Sequence, residues 1–230
     1  MRLYCLPHAG GSANVFLAWR RYLDASIELE PVELSGRGRR IAAPLHTGFR
    51  TVLDDVTAQV TKTPVPADYA LLGHSFGAIL AFELAHELTA AGRPPRHLFV
   101  SASCAPERVG ELVIPLADGD RELLTSLAHL GGTHEELLAD DEAVELFAPI
   151  LRADLHALFD YRLARSNRLA CDISIVLASS DTVATEADAR LWAKSTTGDA
   201  AIRIIEGGHF AALEHPAQIA PFVSATLLGG

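Results

Sequence analysis

The sequence predicts an α/β fold: a mostly parallel sheet with helices on both faces and an inserted helical lid. Three observations carry that expectation. Short apolar runs alternate with stretches of helical periodicity through most of the chain, the pattern of strands joined by crossover helices. One of those runs, residues 69–73, passes through Gly73-His74-Ser75-Phe76-Gly77 straight into a long apolar helix. From residue 106 to about 170 the strand pattern stops while helical stripes continue.

Each element follows from its own residues. Residues 3–6 are an apolar run closed by Pro7, as in a buried strand. After the loop Pro7-His8-Ala9-Gly10-Gly11-Ser12, the side chains of Val15, Phe16, Trp19, Tyr22 and Leu23 recur at helical spacing, with Ser12 or Asn14 as the cap. Residues 27–34 alternate apolar and acidic side chains, a strand of period 2, and residues 35–48, rich in Gly, Arg and Pro, read as a loop. Val52, Leu53, Val56 and Val60 mark one face of a helix over 49–60. The apolar helix over 78–91 stops at Gly92, with Pro94 and Pro95 just beyond. Residues 97–102 form a fourth strand.

In the strandless stretch, Leu123, Leu124, Leu127 and Leu130 make one helical stripe closed by Gly131-Gly132, and residues 143–151 and 155–164 read as two more helices. Strands return at 173–178 and 202–205, with a helix near 185–194 between them and a last helix over 216–228. The expected organisation is a core of residues 1–105 and 171–230 with a lid of residues 106–170.

Composition narrows the function. The 230 residues are 49% hydrophobic and 21% charged, enough to bury a sizeable core. A net charge of −10 argues against nucleic acid, which needs clustered Lys and Arg. The three cysteines, Cys5, Cys104 and Cys171, are widely spaced and form no C-x-x-C pair, so a reducing compartment is expected. The opening apolar run is too short for a signal core or a membrane span, and a soluble, cytoplasmic protein is expected. No H-E-x-x-H or phosphate-loop signature occurs, and His134-Glu135-Glu136 reads as an acidic turn. No metal and no cofactor are expected.

The chemistry sits on Gly73-His74-Ser75-Phe76-Gly77, a G-x-S-x-G sequence between a strand and a helix. That is the context of a nucleophile elbow in an α/β-hydrolase fold, and it makes Ser75 the candidate nucleophile. A hydroxyl needs a base, and in this fold the chain order is Ser, acid, His. His209 follows the sixth strand in Gly207-Gly208-His209-Phe210, with His215 as rival and His74 expected to point away from the hydroxyl. Asp181 follows the fifth strand and opens the next loop; Glu186 and Asp188 lie further on, in the following helix. The oxyanion donors expected are the backbone N–H of Phe76 and that of Ala9 in the loop after the first strand.

Together, Pro7-His8-Ala9-Gly10-Gly11-Ser12-Ala13, Phe16 and Trp19, Gly36-Arg37-Gly38, Gly73-His74-Ser75-Phe76-Gly77-Ala78 and Gly208-His209-Phe210 resemble the type II thioesterases that accompany polyketide synthases and nonribosomal peptide synthetases. The resemblance implies hydrolysis of acyl groups from the phosphopantetheine arm of acyl or peptidyl carrier proteins and a helical lid over an acyl channel; separately, a monomer is expected. It carries the triad onto Ser75, Asp181 and His209, and the oxyanion hole onto Phe76 and Ala9. Carrier proteins are acidic, so a basic docking patch is expected, either Arg37, Arg39 and Arg40 or Arg162, Arg165 and Arg168. The competing readings are a carboxylesterase or acyltransferase with the same triad, and a non-catalytic binding member of the fold.

Overall fold

A computed structural model describes residues 1–114, 116–128, 130–131, 138–164 and 168–229. Strands β1 (Arg2–Leu6), β2 (Glu28–Pro31), β3 (Tyr69–His74), β4 (His97–Ser101), β5 (Asp172–Ala178) and β6 (Ala200–Ile205) form one sheet in the order β2-β1-β3-β4-β5-β6. Every neighbouring pair is parallel. The central strands β3 and β4 are buried along their whole length, as expected of a sheet covered on both faces. Strand β6 lies at an edge and is exposed except at Ile205. Strand β2 is shorter than its alternating pattern predicts. Beyond Pro31 the chain turns inward, and Glu33 is buried against the loop that follows β1.

The strand period divides the core in two. On β1, Leu3 and Cys5 join one apolar layer with Phe16, Trp19, Ile219 and Val223, while Tyr4 and Leu6 join the other with Val52, Val56, Ile79 and Leu80. The second layer is built by α1 (Phe49–Thr61) and α2 (Phe76–Ala90). The first is covered by the segment Ala13–Arg21 and by the last helix. Ala13–Arg21 is a 3-10 helix rather than an α-helix, and Ser12 caps it, its Oγ accepting the Asn14 N–H at 3.2 Å.

Between β4 and β5 lie a 3-10 turn (Pro106–Glu111), α3 (Asp120–Ala128) and α4 (Asp141–Asp160). The two helices expected over 143–151 and 155–164 are one continuous helix, capped by Asp140, with Pro149 inside it. The apolar stripe is interrupted at Asp154, which mimics a break in the sequence. In the fold Asp154 faces inward all the same, because Arg37 neutralises it. The chain leaves the helix at Tyr161, whose ψ of 133° is extended. Gly131 has the positive φ of a helix stop, whereas Gly132 and the acidic turn at His134-Glu135-Glu136 lie outside the described residues.

After β5 come α5 (Glu186–Trp192), α6 (Ala211–Glu214) and α7 (Pro216–Leu228). Thr185 and Asp188 cap α5 reciprocally. No helix among the described residues is long and apolar enough to cross a membrane.

The turn from β3 into α2 fixes the geometry of everything nearby. Ser75 sits at φ 54°, ψ −119°, a conformation an L-residue adopts only under constraint. A Cβ on Gly73 would lie 2.1 Å from the Gly77 carbonyl oxygen, and one on Gly77 would lie 2.2 Å from that of Leu6. Both obstacles are backbone, so neither can swing aside. Gly77→Ala is therefore expected to destabilise the fold by at least ~2–3 kcal/mol, whereas Gly110→Ala, where a Cβ meets nothing within 4 Å, is expected to change little. Urea unfolding of the two variants beside the parent checks this.

Candidate active site

Ser75 is lifted above the carboxyl end of the sheet, at the N-terminus of α2. Its Oγ lies 3.0 Å from His209 Nε2. On the far side of the ring, His209 Nδ1 is 3.0 and 3.1 Å from the two Asp181 oxygens. An ionised Asp181 accepts from an Nδ1–H, which leaves Nε2 free to accept the Ser75 proton. The side chains of His209 and Asp181 are 4% and 0% exposed, so the line of three is shielded from water behind the hydroxyl.

Asp181 is held as well as buried. Burial alone would raise its carboxyl pKa. The hydrogen bond and charge of His209, with the N–H groups of Val183 and Ala184 at 2.8 and 3.2 Å, outweigh that and bring it below the usual value. His209 reaches the elbow from β6 through Gly207, at φ 120°, a region that glycine occupies without strain.

The rivals are placed elsewhere. His74 lies behind the elbow, with Nδ1 3.2 Å from Ser101 Oγ. His215 is exposed ahead of α7. Glu186 is exposed, and Asp188 is engaged in the α5 cap and with Arg108 at 2.9 Å.

A cavity of about 280 Å³ opens at Ser75, at the small end of the size range of small-molecule sites. The loop His8–Ser12 forms one wall, and Leu124, Leu127, Leu151, Leu155 and Leu158 of α3 and α4 form the opposite one. Its lining is apolar apart from the loop, Ser75 and His209. Ala9 lines this cavity, and Phe76 lines a smaller pocket that also contains Ser75. No group of His, Cys, Asp or Glu side chains among the described residues is arranged to hold a metal ion.

A family model described as the thioesterase domain matches residues 1–227. The chain belongs to that family. It is 35% identical over 211 residues to thioesterase PikA5 of Streptomyces venezuelae, an alignment covering 91% of this chain and 75% of that protein. Among solved structures it resembles ClbQ from the colibactin NRPS/PKS pathway, with a TM-score of 0.93, 32% identity, and 99% and 97% of the two chains covered. It also resembles the type II thioesterase BorB from the borrelidin biosynthetic cluster, with a TM-score of 0.85, 33% identity, and 98% and 92% covered. The fold is thus the α/β-hydrolase fold that the elbow predicted, and the protein is a thioesterase.

Two features of this thioesterase were not read from its sequence. The first concerns the docking patch expected at Arg37, Arg39 and Arg40. Arg37 is buried and paired with Asp154, and Arg40 is paired with Asp55 at 2.6 Å; only Arg39 of the three is exposed. An arginine between glycines reads as solvated, and only the long-range partner reveals otherwise. Of the second patch, Arg162 and Arg168 are exposed and Arg165 lies outside the described residues.

The second is a cluster of imidazoles packed edge-on beside the triad. The His8 and His74 rings lie 5.9 Å apart, His74 and His209 5.5 Å, and Phe210 packs on His8 at 4.8 Å. Burial, reinforced by His209 and Arg37, pushes His8 down to about 3; burial, His209 and His8 push His74 well below the usual histidine value. Two neutral rings beside His209 add no charge to oppose the one it acquires.

Buried neutral histidines also set the response to acid. Burial likewise holds His97, 2.9 Å from Ser174 Oγ, at about 4. In the unfolded chain these imidazoles take protons near pH 6.5. Between about 6.5 and 4 the unfolded chain therefore binds more protons than the folded one, and stability falls as pH falls. Asp181, whose folded value is lowered, contributes in the same direction only below about 3.8. The thermal midpoint is expected to drop steadily from pH 7 to 5, and His97→Gln to flatten the slope. A midpoint unchanged over that range would contradict neutral burial.

Proposed function

We propose that this thioesterase hydrolyses acyl groups from the phosphopantetheine arm of acyl or peptidyl carrier proteins, clearing polyketide or nonribosomal peptide synthases, with Ser75, His209 and Asp181 as its triad. The observation that carries the reading is the hydrogen-bonded line Asp181–His209–Ser75 at the mouth of an apolar cavity walled by the helical insertion. The relatives and structural neighbours that serve such pathways support the choice of partner.

In the first step the Ser75 oxygen attacks the thioester carbonyl while His209 Nε2 takes its proton. The charge that develops on the carbonyl oxygen is met by the N–H groups of Phe76 and Ala9. His209 then returns the proton to the departing thiol. In the second step a water, deprotonated by the same nitrogen, releases the acid and restores Ser75. Asp181 holds the imidazole in the reactive tautomer and offsets its transient positive charge. Every step uses side chains, backbone N–H groups and water. The residues 106–170 act as the lid, the protein acts as a monomer in the cytoplasm, and the three buried, unbonded cysteines accord with a reducing compartment. Exposed Arg162 and Arg168 are the better of the two candidate docking groups.

The test is hydrolysis of acyl groups loaded on a holo carrier protein, beside the matching free thioester and oxygen ester. Faster release from the carrier is expected, together with loss of activity on the order of 10⁴-fold for Asp181→Asn and at least as much for Ser75→Ala. Brisk cleavage of the oxygen ester with the loaded carrier untouched would replace this reading by that of a carboxylesterase.

A further inference from the structure

The loop that carries the Ala9 N–H is gripped at two points by buried carboxylates from other parts of the chain. At its far end, Glu33, 2% exposed, accepts the Ala13 N–H at 2.9 Å and the Ser12 hydroxyl at 3.3 Å. At its centre, Asp154 of α4 accepts the Gly10 N–H at 2.7 Å. The peptide so fixed is the one that joins Ala9 to Gly10, so its orientation constrains the direction of the Ala9 N–H next to it. The same Asp154 carboxylate takes two hydrogen bonds from Arg37, at 2.5 and 2.7 Å. Arg37 in turn donates to the Gly11 carbonyl at 3.2 Å and the Ser35 carbonyl at 3.2 Å. The Gly11 N–H closes back on the His8 carbonyl at 3.0 Å. Both charged side chains of the pair are 5% exposed or less.

Packing reinforces the grip. A Cβ on Gly10, which sits at φ 78°, would lie 3.3 and 3.4 Å from Leu151 side-chain atoms, so α4 lies directly against the loop. The helix that carries Asp154 also presents Leu151, Leu155 and Leu158 to the cavity. One rigid element therefore touches both the space for the acyl chain and the peptide that aims an oxyanion donor.

We infer that Asp154, with Arg37, is a positioning residue of the hydrolysis: the pair locks the Ala9–Gly10 peptide so that the Ala9 N–H meets the developing oxyanion, and it ties that geometry to the helix lining the acyl cavity. The inference rests on the acyl-transfer reading above, with Ala9 as donor. An ion pair this deeply buried is no more stabilising than a well-packed apolar pair of the same size, so fold stability alone does not account for it. A misplacement near 1 Å at a reacting group costs about 10²-fold in rate, which is the scale of effect expected.

The experiment uses a soluble acyl thioester without a carrier protein, so it does not depend on the identity of the partner. Asp154→Asn, Asp154→Ala and Arg37→Lys are compared with the parent in kcat, in KM, in affinity for a boronic acid that forms a tetrahedral adduct at Ser75, and in thermal unfolding. The expected result for Asp154→Asn is a fall in kcat of about 10²-fold, with boronate affinity falling in parallel and KM within threefold. Arg37→Lys, which keeps a charge but loses the fork that spans Asp154 and Gly11, is expected to fall between the parent and Asp154→Asn. Folded variants with kcat within threefold of the parent would overturn the inference. So would a loss of kcat with boronate affinity unchanged, or the failure of all three variants to fold at the assay temperature, since the pair would then serve stability. A parent inactive on the thioester would instead sink the proposed function itself.

Discussion

The close approach of the elbow to the end of β1 is the constraint on which the rest of the site depends. Gly77 presses against the Leu6 and Pro7 carbonyls, and Gly73 against the first turn of α2. With no side chain at either position, the strand can reverse into a helix within one residue, and that residue, Ser75, is left at positive φ with its hydroxyl in the open cavity. Because β1 and β3 are neighbours in the sheet, the same contact brings the loop after β1 beside the nucleophile. The other two groups arrive from further away. The base follows β6, three strands from β3, a span of roughly 14 Å at ordinary strand spacing. Its loop has to swing back across the top of the sheet, and Gly207, at φ 120°, is where it turns. Asp181, after β5, lies on that route and meets the ring from behind.

Charge within this compact region is placed with economy. Asp181 is bound by an imidazole and two backbone N–H groups, the Arg37–Asp154 pair neutralises itself, and Glu33 is set at the far end of the loop, bonded to Ser12 and Ala13. The adjoining His8 and His74 are held neutral. A hydroxyl that must lose a proton to its neighbour benefits from this arrangement. A charged ring beside His209 would oppose its protonation, since in a poorly screened interior such repulsion is strong. Asp181 therefore acts on His209 against little competing field.

What was legible in the sequence was local. An apolar strand running into Gly73-His74-Ser75-Phe76-Gly77 needs no partner to be recognised, because both the clash that the glycines avoid and the helix that follows are encoded within a few residues. The order of Asp181 and His209 behind successive strands followed from the same periodicities, and the six strands of the sheet appeared where apolar runs, or for β2 an alternating pattern, placed them, with β2 shorter than that pattern. What escaped was non-local. Arg37 and Asp154 are separated by 117 positions. Each alone reads as a solvated charge, and the interruption at Asp154 made one helix look like two. The 3-10 winding of Ala13–Arg21 escaped for a different reason: apolar residues three apart suit both helix types.

The helical insertion is held to the body unequally. The end of α4 is part of the main core, through Ala157, Leu158 and Tyr161. Its middle is bonded to the loop after β1. Helix α3 has no such anchorage among the described residues. Leu123 and Leu124 belong to a small separate cluster with Val144, Ala148, Leu151 and Leu155. Among the described residues its charged ties to α4 are Arg121 to Asp141, which is solvent-exposed, and half-buried Arg152 to exposed Asp120, and pairs open to solvent add little. Segments with few buried contacts are the ones that open at low cost. Of the two helices that wall the cavity, α4 is therefore the firmly held one, and α3 is the one tied to the body, among the described residues, through α4.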